Sequence, residues 1–559
     1  MSSQKFKNCM RNKLECLRLC FIFIMSLGGL KLTHGQTHSI VLGRPTQNSI
    51  TISVLFDQAS FFYIKYGQQP GLLNQSTTPM LSLPTASTHF DLTNLNPHTR
   101  YYYRVYYRTD STLPYSATPE YTFCTQRSLG SSFTFTIEAD EHLYDKKGVP
   151  SLYEITLANQ VADSPDFIIS LGDIFGDDHE PFTIGSGELD TLHRYYRPFL
   201  GKACHSIPFY ICLGNHEGEN DYYYGLNPPD NLAIMATLWR KKYYPNPYPN
   251  GFYTGNTMQE PFGIGYPENY YAWHWGDALF VVLDAYRDQC DTSPRPGGWN
   301  WTLGLPQYTW LKNTLENSTA THKFVFAHHV RGQGRGGISN AKLFEWGGYD
   351  GPNGVNYNFP NKRPGWSKPI HNLFKDNNVK IFFQGHDHVF ARESLDSVIY
   401  QASPMAADST YEIGMLANAS AYTSDTLPGS GHLRVKVTPQ CVQVDFVRAY
   451  LPADTLGGIH RNREVAFSYR VGQCPGTGFD PLWGKLNVSV SPNPAKNYLS
   501  LNFWEEIPHF TAQIHNALGQ IILTSHEKEI SIHEIPEGYY WIVVKAGQRI
   551  HRQRIVIQH

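Results

Sequence analysis

Acidic, amide and histidine side chains recur along the middle of the chain, each group directly after a short apolar run. They form five groups: Asp140-Glu141-His142, Gly172-Asp173, Gly214-Asn215-His216-Glu217, His328-His329 and Gly385-His386-Asp387-His388. Carboxylates, amide oxygens and imidazoles are ligands that divalent and trivalent metal ions accept in proteins. Two neighbouring metal ions can bind a phosphate ester and supply a hydroxide that attacks it. These residue types therefore predict a two-metal site for phosphate ester chemistry.

Short apolar strands alternate with helices from about residue 131, and these elements must position the five groups. Strands are predicted at 133–137, 167–171, 208–213, 278–283, 323–327 and 379–383, and helices at 151–162 and 307–316. This alternation predicts an α/β sandwich. In such folds the loops after the strand carboxyl ends gather in one crevice. Groups far apart in the sequence are therefore expected to meet in space.

The order of the five groups resembles the motif series of the calcineurin-like metallophosphoesterase superfamily: D-x-H, GD, GNH[ED], H and GHxH. The resemblance covers roughly residues 131–450, and we place the domain at 131–470. It implies a β-sandwich flanked by helices (αββα) that holds two metal ions, with Fe, Mn and Zn as candidates. The implied ligands are Asp140, His142 and His388 for one ion, Asn215, His328 and His386 for the other, and Asp173 as the bridge.

Other polar residues in and near these motifs are candidates for catalysis and substrate binding. The resemblance implies that His216 binds no metal and protonates the leaving alkoxide, oriented by Glu217 or the neighbourhood of Asp173. The alternative for His216 is a structural histidine. Candidate substrate contacts are His179, His329, and Arg331 with its neighbours Gln333 and Arg335; a flexible surface loop is the alternative for the arginine run.

Two further segments could belong to the substrate site. The acids Asp177, Asp178 and Glu180 are interpreted as a solvated loop rather than a pocket wall. The aromatic runs at 222–224 and 270–275 are interpreted as packing residues rather than a stacking platform for a nucleobase.

Both ends of the chain resemble accessory β-domains. Residues 37–127 alternate as in a small β-sandwich, and the segment 92–105 resembles the end of a fibronectin type III domain. We favour a packing spacer over a binding module there, because no ligand signature is present. Residues 484–559 carry an opening PNP turn, a central GQ turn and a late IPEGYY hairpin, and resemble the C-terminal sorting domain of the Bacteroidetes type IX secretion system. An ordinary accessory β-domain is the alternative.

Residues 1–35 are predicted to be a secretion signal, with a basic start and a short apolar run. A transmembrane anchor is the alternative, but about twelve apolar residues fall short of the ~20 needed to span a bilayer. Three of the nine cysteines lie in this segment. The remaining six could form up to three disulfides or stay free. A net charge of −2 gives no electrostatic case for a nucleic acid partner.

The sequence thus predicts an exported, secreted or cell-surface phosphoesterase of a Bacteroidetes-type bacterium, passed through the type IX machinery and without a transmembrane anchor. The expected reaction is hydrolysis of a small phosphate monoester by metal-bound hydroxide, as in acid phosphatases. Two alternatives stay open: a phosphodiesterase or nucleotidase of the same fold, and a non-catalytic secreted binding protein.

The site is predicted not to be purple. The domain order resembles that of purple acid phosphatases, but those enzymes carry a tyrosine three residues after the bridging aspartate, where this chain has Gly176, and lack the histidine found here as His142. Without that phenolate, the purified metal-loaded protein should have no intense visible charge-transfer band. Such a band in its absorption spectrum would contradict the prediction.

Overall fold

The computed structural model describes residues 38–559 except 290–296, 331–333, 352–353, 414–420, 423–424, 459, 475–483, 487, 504–506, 508, 517–519 and 547–548. The chain divides into two compact units, residues 1–468 and 469–559. The division into an N-terminal, a central and a C-terminal domain stays a prediction. The predicted signal at 1–35 lies outside the described residues.

The first unit begins with two small antiparallel sheets. Their strands are β1 (His38–Gly43), β2 (Ile50–Phe56), β3 (Ser60–Gly67), β4 (Gln75–Ser76), β5 (Met80–Ser82), β6 (Thr88–Leu92), β7 (Arg100–Arg108), β8 (Ser116–Ala117) and β9 (Tyr121–Cys124). One sheet has the order β1-β2-β6, and the other is built around the β3–β7 pair. Alternate residues of these strands, such as Ile52, Phe62 and Val105, pack in a common core. Kinship with fibronectin type III domains stays a prediction.

The rest of this unit contains two larger sheets. Their strands are β10 (Phe133–Glu138), β11 (Ile168–Ser170), β12 (Phe209–Ile211), β13 (Thr254–Gly255), β14 (Tyr271–Trp275), β15 (Ala278–Val282), β16 (His322–Phe326), β17 (Ile381–Gln384), β18 (Phe390–Leu395), β19 (Val398–Ala402), β20 (Thr426–Leu427), β21 (Ser430–Val437), β22 (Cys441–Ala449) and β23 (Val465–Gly472). The strand orders are β12-β11-β10-β21-β22-β23 and β13-β14-β15-β16-β17-β19-β18-β20. Strands β10 to β12 are mutually parallel, and so are β15 to β17.

Helices cover the outer faces of the two sheets. They are α1 (Pro150–Asp163), α2 (Ser186–Cys204), α3 (Asp221–Tyr224), α4 (Leu232–Tyr243), α5 (Gly304–Asn317), α6 (Ile338–Ala341), α7 (Phe344–Gly347), α8 (Phe359–Lys362) and α9 (Ile370–Asp376). Helices α1 and α2 share a buried cluster with β11 and β12, whereas α5 and α9 share another with β15 to β17. The predicted αββα architecture is confirmed.

Aromatic rings fill the space between the two sheets. The ring of Phe135 on β10 contacts Phe280, with 5.1 Å between centroids, and Phe324, with 5.6 Å. Trp273 stacks on Tyr210 at 4.3 Å. Aromatic pairs in such geometries stabilise a core beyond the effect of area alone. The aromatic run at 270–275 is thus packing, as the sequence indicated.

The second unit is a β-sandwich. Its strands are β24 (Gly484–Lys485), β25 (Val488–Ser491), β26 (Tyr498–Phe503), β27 (Thr511–His515), β28 (Ile521–Ser525), β29 (Glu529–Ser531), β30 (Gly538–Ala546) and β31 (Arg549–Ile557). Sheets of five and three strands enclose one apolar cluster. The side chain of Asn493, in the PNP turn, bonds the backbone of Arg554 and Val556. This turn therefore anchors the last strand.

The cysteines fall into two classes. Cys441 and Cys474 are disulfide-bonded, whereas Cys124, Cys204 and Cys212 are free and buried. Cys290 lies outside the described residues. Within the described part of the chain, no helix is long and apolar enough to cross a membrane.

A buried arginine joins strands β1 and β2 to helices α2 and α4. Arg197 on α2 is fully buried and donates hydrogen bonds to Ser39 O, Ser53 O and Tyr243 O at 2.7–3.0 Å. Burial lowers its pKa to about 10, so the guanidinium stays charged at neutral pH. Because buried groups without partners are costly, this arginine has to be matched on all sides.

Replacing Arg197 with methionine should destabilise the first unit by about 3 kcal/mol or more, because several buried acceptors lose their donor. Urea unfolding followed by tryptophan fluorescence measures the loss. The control is Lys202→Met on the same helix, a half-exposed side chain paired with Glu154, which should cost less than about 1 kcal/mol. Equal costs for the two variants would contradict the role given to Arg197.

Candidate metal centre

All seven predicted metal ligands lie in loops that follow the carboxyl ends of parallel strands. Asp140 and His142 follow β10, Asp173 follows β11, and Asn215 follows β12. On the facing sheet, His328 follows β16, and the pair His386 and His388 follows β17. None of the seven is more than 6% exposed. The two sheets therefore bring ligands that are distant in sequence to one edge, where they are shielded from water.

Asp140, His142 and His388 form the first cluster, and their ligand atoms lie within 4.8 Å of one another. The Nε2 atoms of His142 and His388 are 3.1 Å apart, and His388 Nε2 is 3.4 Å from Asp140 Oδ1. This trio matches the ligand set that the sequence resemblance implied for the first metal ion.

Asp173, His328 and His386 form the second cluster within the same 4.8 Å limit. His328 Nε2 is 3.1 Å from Asp173 Oδ2 and 3.1 Å from His386 Nδ1. It is also 3.9 Å from Asp140 Oδ1 in the first cluster. The two clusters are therefore adjacent, with Asp173 and Asp140 on either side of His328.

These oxygen and nitrogen atoms are better suited to binding cations than to hydrogen bonding with one another. Within the described part of the chain, Oδ1 of Asp140 and Oδ1 of Asn215 are buried without a hydrogen-bond partner. Buried acceptors without donors are costly, and buried charges are normally paired or bound to metal. Imidazole nitrogens that approach each other at 3.1 Å likewise suit a shared cation. These residues can hold two metal ions.

Five of the seven ligand residues have left-handed backbone conformations. Their φ angles are 53° for Asp140, 46° for His142, 58° for Asp173, 65° for His386 and 54° for His388. Non-glycine residues there cost on the order of 1–2 kcal/mol each. The left-handed turn ends each strand abruptly and brings the side chain back toward the sheet edge. Backbone strain is therefore concentrated where the ligands converge.

Buried carboxylates hold these strained loops through backbone amides. Glu217 accepts hydrogen bonds from the amides of Asp173 at 3.0 Å and Ile174 at 2.7 Å. Asp140 Oδ2 accepts from the amide of His386 at 2.9 Å, which ties the first loop to the last. A Cβ on Gly214 would lie 2.3 Å from Asp173 Oδ1. The glycine of the GNH motif is therefore required by close approach to the predicted bridging ligand.

Second hydrogen bonds orient the imidazoles of two predicted metal ligands. His328 Nδ1 donates to the carbonyl of Leu171 at 2.8 Å, so Nε2 is the nitrogen from which a cation would displace a proton. His142 Nδ1 is 3.2 Å from Asp145 Oδ2, which similarly leaves Nε2 for a metal ion. Burial lowers the pKa of His142 even with this carboxylate beside it. In each ring Nδ1 has a hydrogen-bond partner, and Nε2 is the nitrogen that remains for a cation.

His216 lies beside the clusters and belongs to neither of them. Its Nδ1 is 2.7 Å from Asp178 Oδ1, and its Nε2 is 3.9 Å from Asp173 Oδ2. Burial disfavours the charged ring, but Asp173 and Asp178 outweigh it and raise the pKa of His216 to about 10. The partner of this histidine is therefore Asp178, whereas Glu217 bonds backbone amides instead.

The interpretation of the acids after Asp173 as a solvated loop is wrong for two of them. Asp178 is the partner of His216, and Asp177 is buried with Oδ2 3.3 Å from His193 Nε2. Neither residue belongs to the five motif groups, so the motifs gave no signal. Their position four and five residues after the predicted bridging ligand was the available clue.

A cavity of about 990 Å³ opens over the two clusters. His179, a predicted substrate contact, lines it, and so does Arg335, which bonds Asp387 Oδ1 at 3.3 Å. His329 is a correction: it is fully buried, outside the cavity lining, with Nε2 3.8 Å from Asp387 Oδ2. It therefore lies behind His386 and cannot contact a substrate directly. Arg331 and Gln333 lie outside the described residues.

Tyr144 is a cavity residue that the motifs did not reveal. Its ring lies against Gly176, where an added Cβ would come within 2.2 Å of it. Ring centroids are 5.5 Å from His142 and 5.9 Å from His216. Burial, then Asp173 and Asp178, raise the pKa of Tyr144, so its hydroxyl stays protonated. Position 176 therefore has no room for a side chain while Tyr144 occupies this space.

Two family models match the chain. The calcineurin-like phosphoesterase model matches residues 133–390, and the secretion system C-terminal sorting domain model matches residues 489–558. No curated protein matches the sequence.

Solved structures resemble the chain at low sequence identity. A structure of PhoD is 16% identical over 78% of this chain and 90% of its own, with a TM-score of 0.54. GAP50, the anchor in the inner membrane complex of Plasmodium, is 13% identical over 62% of this chain and 91% of its own, with a TM-score of 0.33. The likeness to PhoD supports the fold alone, and the likeness to GAP50 is too weak to support a conclusion about this chain.

Metal binding should release protons and weaken as the pH falls. Burial disfavours the charged ring of His328, but Asp173 outweighs it and raises the pKa of His328 to about 9. Below that pH the ring is protonated in the metal-free protein, and a cation must displace the proton. Calorimetric titration with Zn²⁺ at pH 7, in two buffers of different ionisation enthalpy, should give different apparent heats. Identical heats, with an affinity that does not change between pH 6 and 8, would contradict this.

Proposed function

We propose that the calcineurin-like phosphoesterase domain at residues 133–390 hydrolyses phosphate monoesters with two bound cations, and that His216 serves as the proton donor. The type IX sorting domain at residues 489–558 indicates export to the medium or the cell surface of a Bacteroidetes-type bacterium. The family suggests a metal-dependent phosphoesterase, and the proposal adds the number of cations, the substrate class and the roles of individual residues.

One observation carries the proposal: two adjacent clusters, each of a carboxylate and two imidazoles, meet a single cavity, which is lined by His142, His388, Asp173 and His386. Asp140, His142 and His388 would hold one cation. Asp173, Asn215, His328 and His386 would hold the other, with Asp173 shared between them. Bound there, the cations would lower the pKa of a coordinated water and offset the negative charge of a phosphoryl group.

His216 is suited to protonate the leaving oxygen. Its Nδ1 proton is held by Asp178, so Nε2 faces the cavity beside Asp173. As an imidazolium, the ring carries a proton on Nε2 that can pass to a departing alkoxide. Asp178 fixes the ring orientation and stabilises the charged form, and part of its effect would be offset by cations bound to Asp173.

The charges around the cavity favour a monoester over a diester. Arg335 and Lys147 line it together with His216. Each cationic side chain is balanced by a carboxylate, Asp387 for the arginine and Asp145 for the lysine. The bound cations then supply the uncompensated positive charge. A doubly charged monoester gains more from that charge than a singly charged diester.

Replacing His216 with glutamine should lower kcat by about 10²–10⁴-fold for an alkyl phosphate, because its leaving group needs a proton. The loss should be smaller for 4-nitrophenyl phosphate, whose leaving group departs as an anion. Asp178→Asn should show the same pattern with a smaller loss. Steady-state kinetics of the Mn²⁺- or Zn²⁺-loaded proteins gives these values. Metal content should be unchanged in both variants.

The matched control is His274→Gln, a histidine on β14 outside this cavity, which should retain full activity. Equal losses on both esters would contradict the role of His216 as proton donor. A strong preference of the wild-type protein for a diester such as bis(4-nitrophenyl) phosphate would contradict the monoester assignment. No hydrolysis of any ester by metal-loaded protein would favour a non-catalytic binding protein.

A further inference from the structure

Part of the cavity lining is aromatic, and part is made of predicted metal ligands. Phe182, Tyr223 and Trp301 all line it, together with Tyr144. The Phe182 and Tyr223 rings meet edge to face, with 6.0 Å between centroids. An aromatic lining is not needed to bind a phosphoryl group, because the metal ligands and cationic side chains already provide for its charge.

Phe182 is the least buried of these rings, with 71% of its surface exposed. The cluster beneath it is already closed by Ile184, Leu189 and Tyr223, which are at most 6% exposed. A hydrogen-bonded turn, in which the amides of Thr183 and Ile184 bond the carbonyl of Glu180, presents the ring. The core therefore does not use Phe182, and its apolar face remains available to a ligand in the cavity.

The other aromatic residues are anchored in the fold. Tyr223 is 6% exposed and rests on Leu232 and Ala233 of α4. Trp301, also 6% exposed, meets Tyr286 edge to face at 5.6 Å. Tyr286 in turn lies 6.1 Å from the ring of His328. Trp301 is thus connected through Tyr286 to the second cluster.

We propose that the physiological substrate is a phosphate monoester whose alcohol carries a planar aromatic ring, and that Phe182 stacks on this ring. A nucleoside monophosphate belongs to this class. The inference rests on the proposed function and adds the class of leaving group.

The size of the expected effect follows from stacking. One base stacked on one aromatic side chain changes binding by about 5- to 100-fold when the side chain is removed. A substrate pair that differs only by the ring should differ in kcat/KM by a similar factor. The ester group that reacts must be identical in the two substrates, so that the ratio of their kcat/KM values reports only the effect of the ring.

Adenosine 5′-monophosphate and ribose 5-phosphate form such a pair, since both are esters of the same primary alcohol. The metal-loaded wild-type protein should prefer the nucleotide by at least about fivefold in kcat/KM. In Phe182→Leu, which keeps an apolar side chain but removes the ring, the ratio should fall toward one. Phe61→Leu on β3 is the control, and it should keep the wild-type ratio. Adenosine, but not ribose, should inhibit the wild-type protein competitively.

The outcomes distinguish a failure of the aromatic substrate class from a failure of the proposed phosphoesterase function. A wild-type ratio near one, or a ratio that Phe182→Leu leaves unchanged, overturns the aromatic substrate class while the phosphoesterase assignment stands. Failure of the protein to hydrolyse either of these esters or 4-nitrophenyl phosphate overturns the proposed function, and this inference with it.

Discussion

The arrangement of the site depends on the burial of several acceptors facing one another. Two aspartates, an asparagine oxygen and four imidazoles point toward a common region, and almost none of their surface reaches water. Without cations, this arrangement costs desolvation and repulsion that only part of the set relieves by mutual hydrogen bonds. Cations remove that cost, and we therefore place the cohesion of the site in metal binding.

The structure around the site compensates for the strain in its loops. Left-handed turns at five ligands are tolerated because the neighbouring structure holds them through carboxylate-to-amide bonds from Glu217 and Asp140. The aromatic layer packs the two sheets that carry these loops against each other. Arg197 extends this packing to the N-terminal strands. Strain at the site is thus balanced by packing far from it.

Much of this architecture could be predicted from the sequence, because apolar strands followed by metal-ligand motifs are local patterns. The αββα order and the sorting domain follow from such patterns, and the structure brings the seven predicted ligands together. Helix α2 was not predicted: Pro198 lies inside it and Arg197 on its buried face, so its apolar period is broken. Its burial depends on contacts with β1, which no local pattern encodes.

Roles that depend on the spatial approach of unrelated loops could not be predicted. Asp178 reaches His216 from a different loop, and Tyr144 covers Gly176 from another. His329 was expected at the substrate because it adjoins His328, yet adjacent residues after a strand point in different directions, and His329 points into the protein. Spacing identifies ligands that follow strands, but not the residues that approach them from elsewhere.

The most direct test of this account is a crystal structure of the metal-loaded protein, with anomalous scattering recorded at the absorption edge of the metal. The account predicts two anomalous peaks per chain, one against Asp140, His142 and His388 and the other against Asp173, His328 and His386. A single peak, or peaks that do not contact these residues, would contradict it.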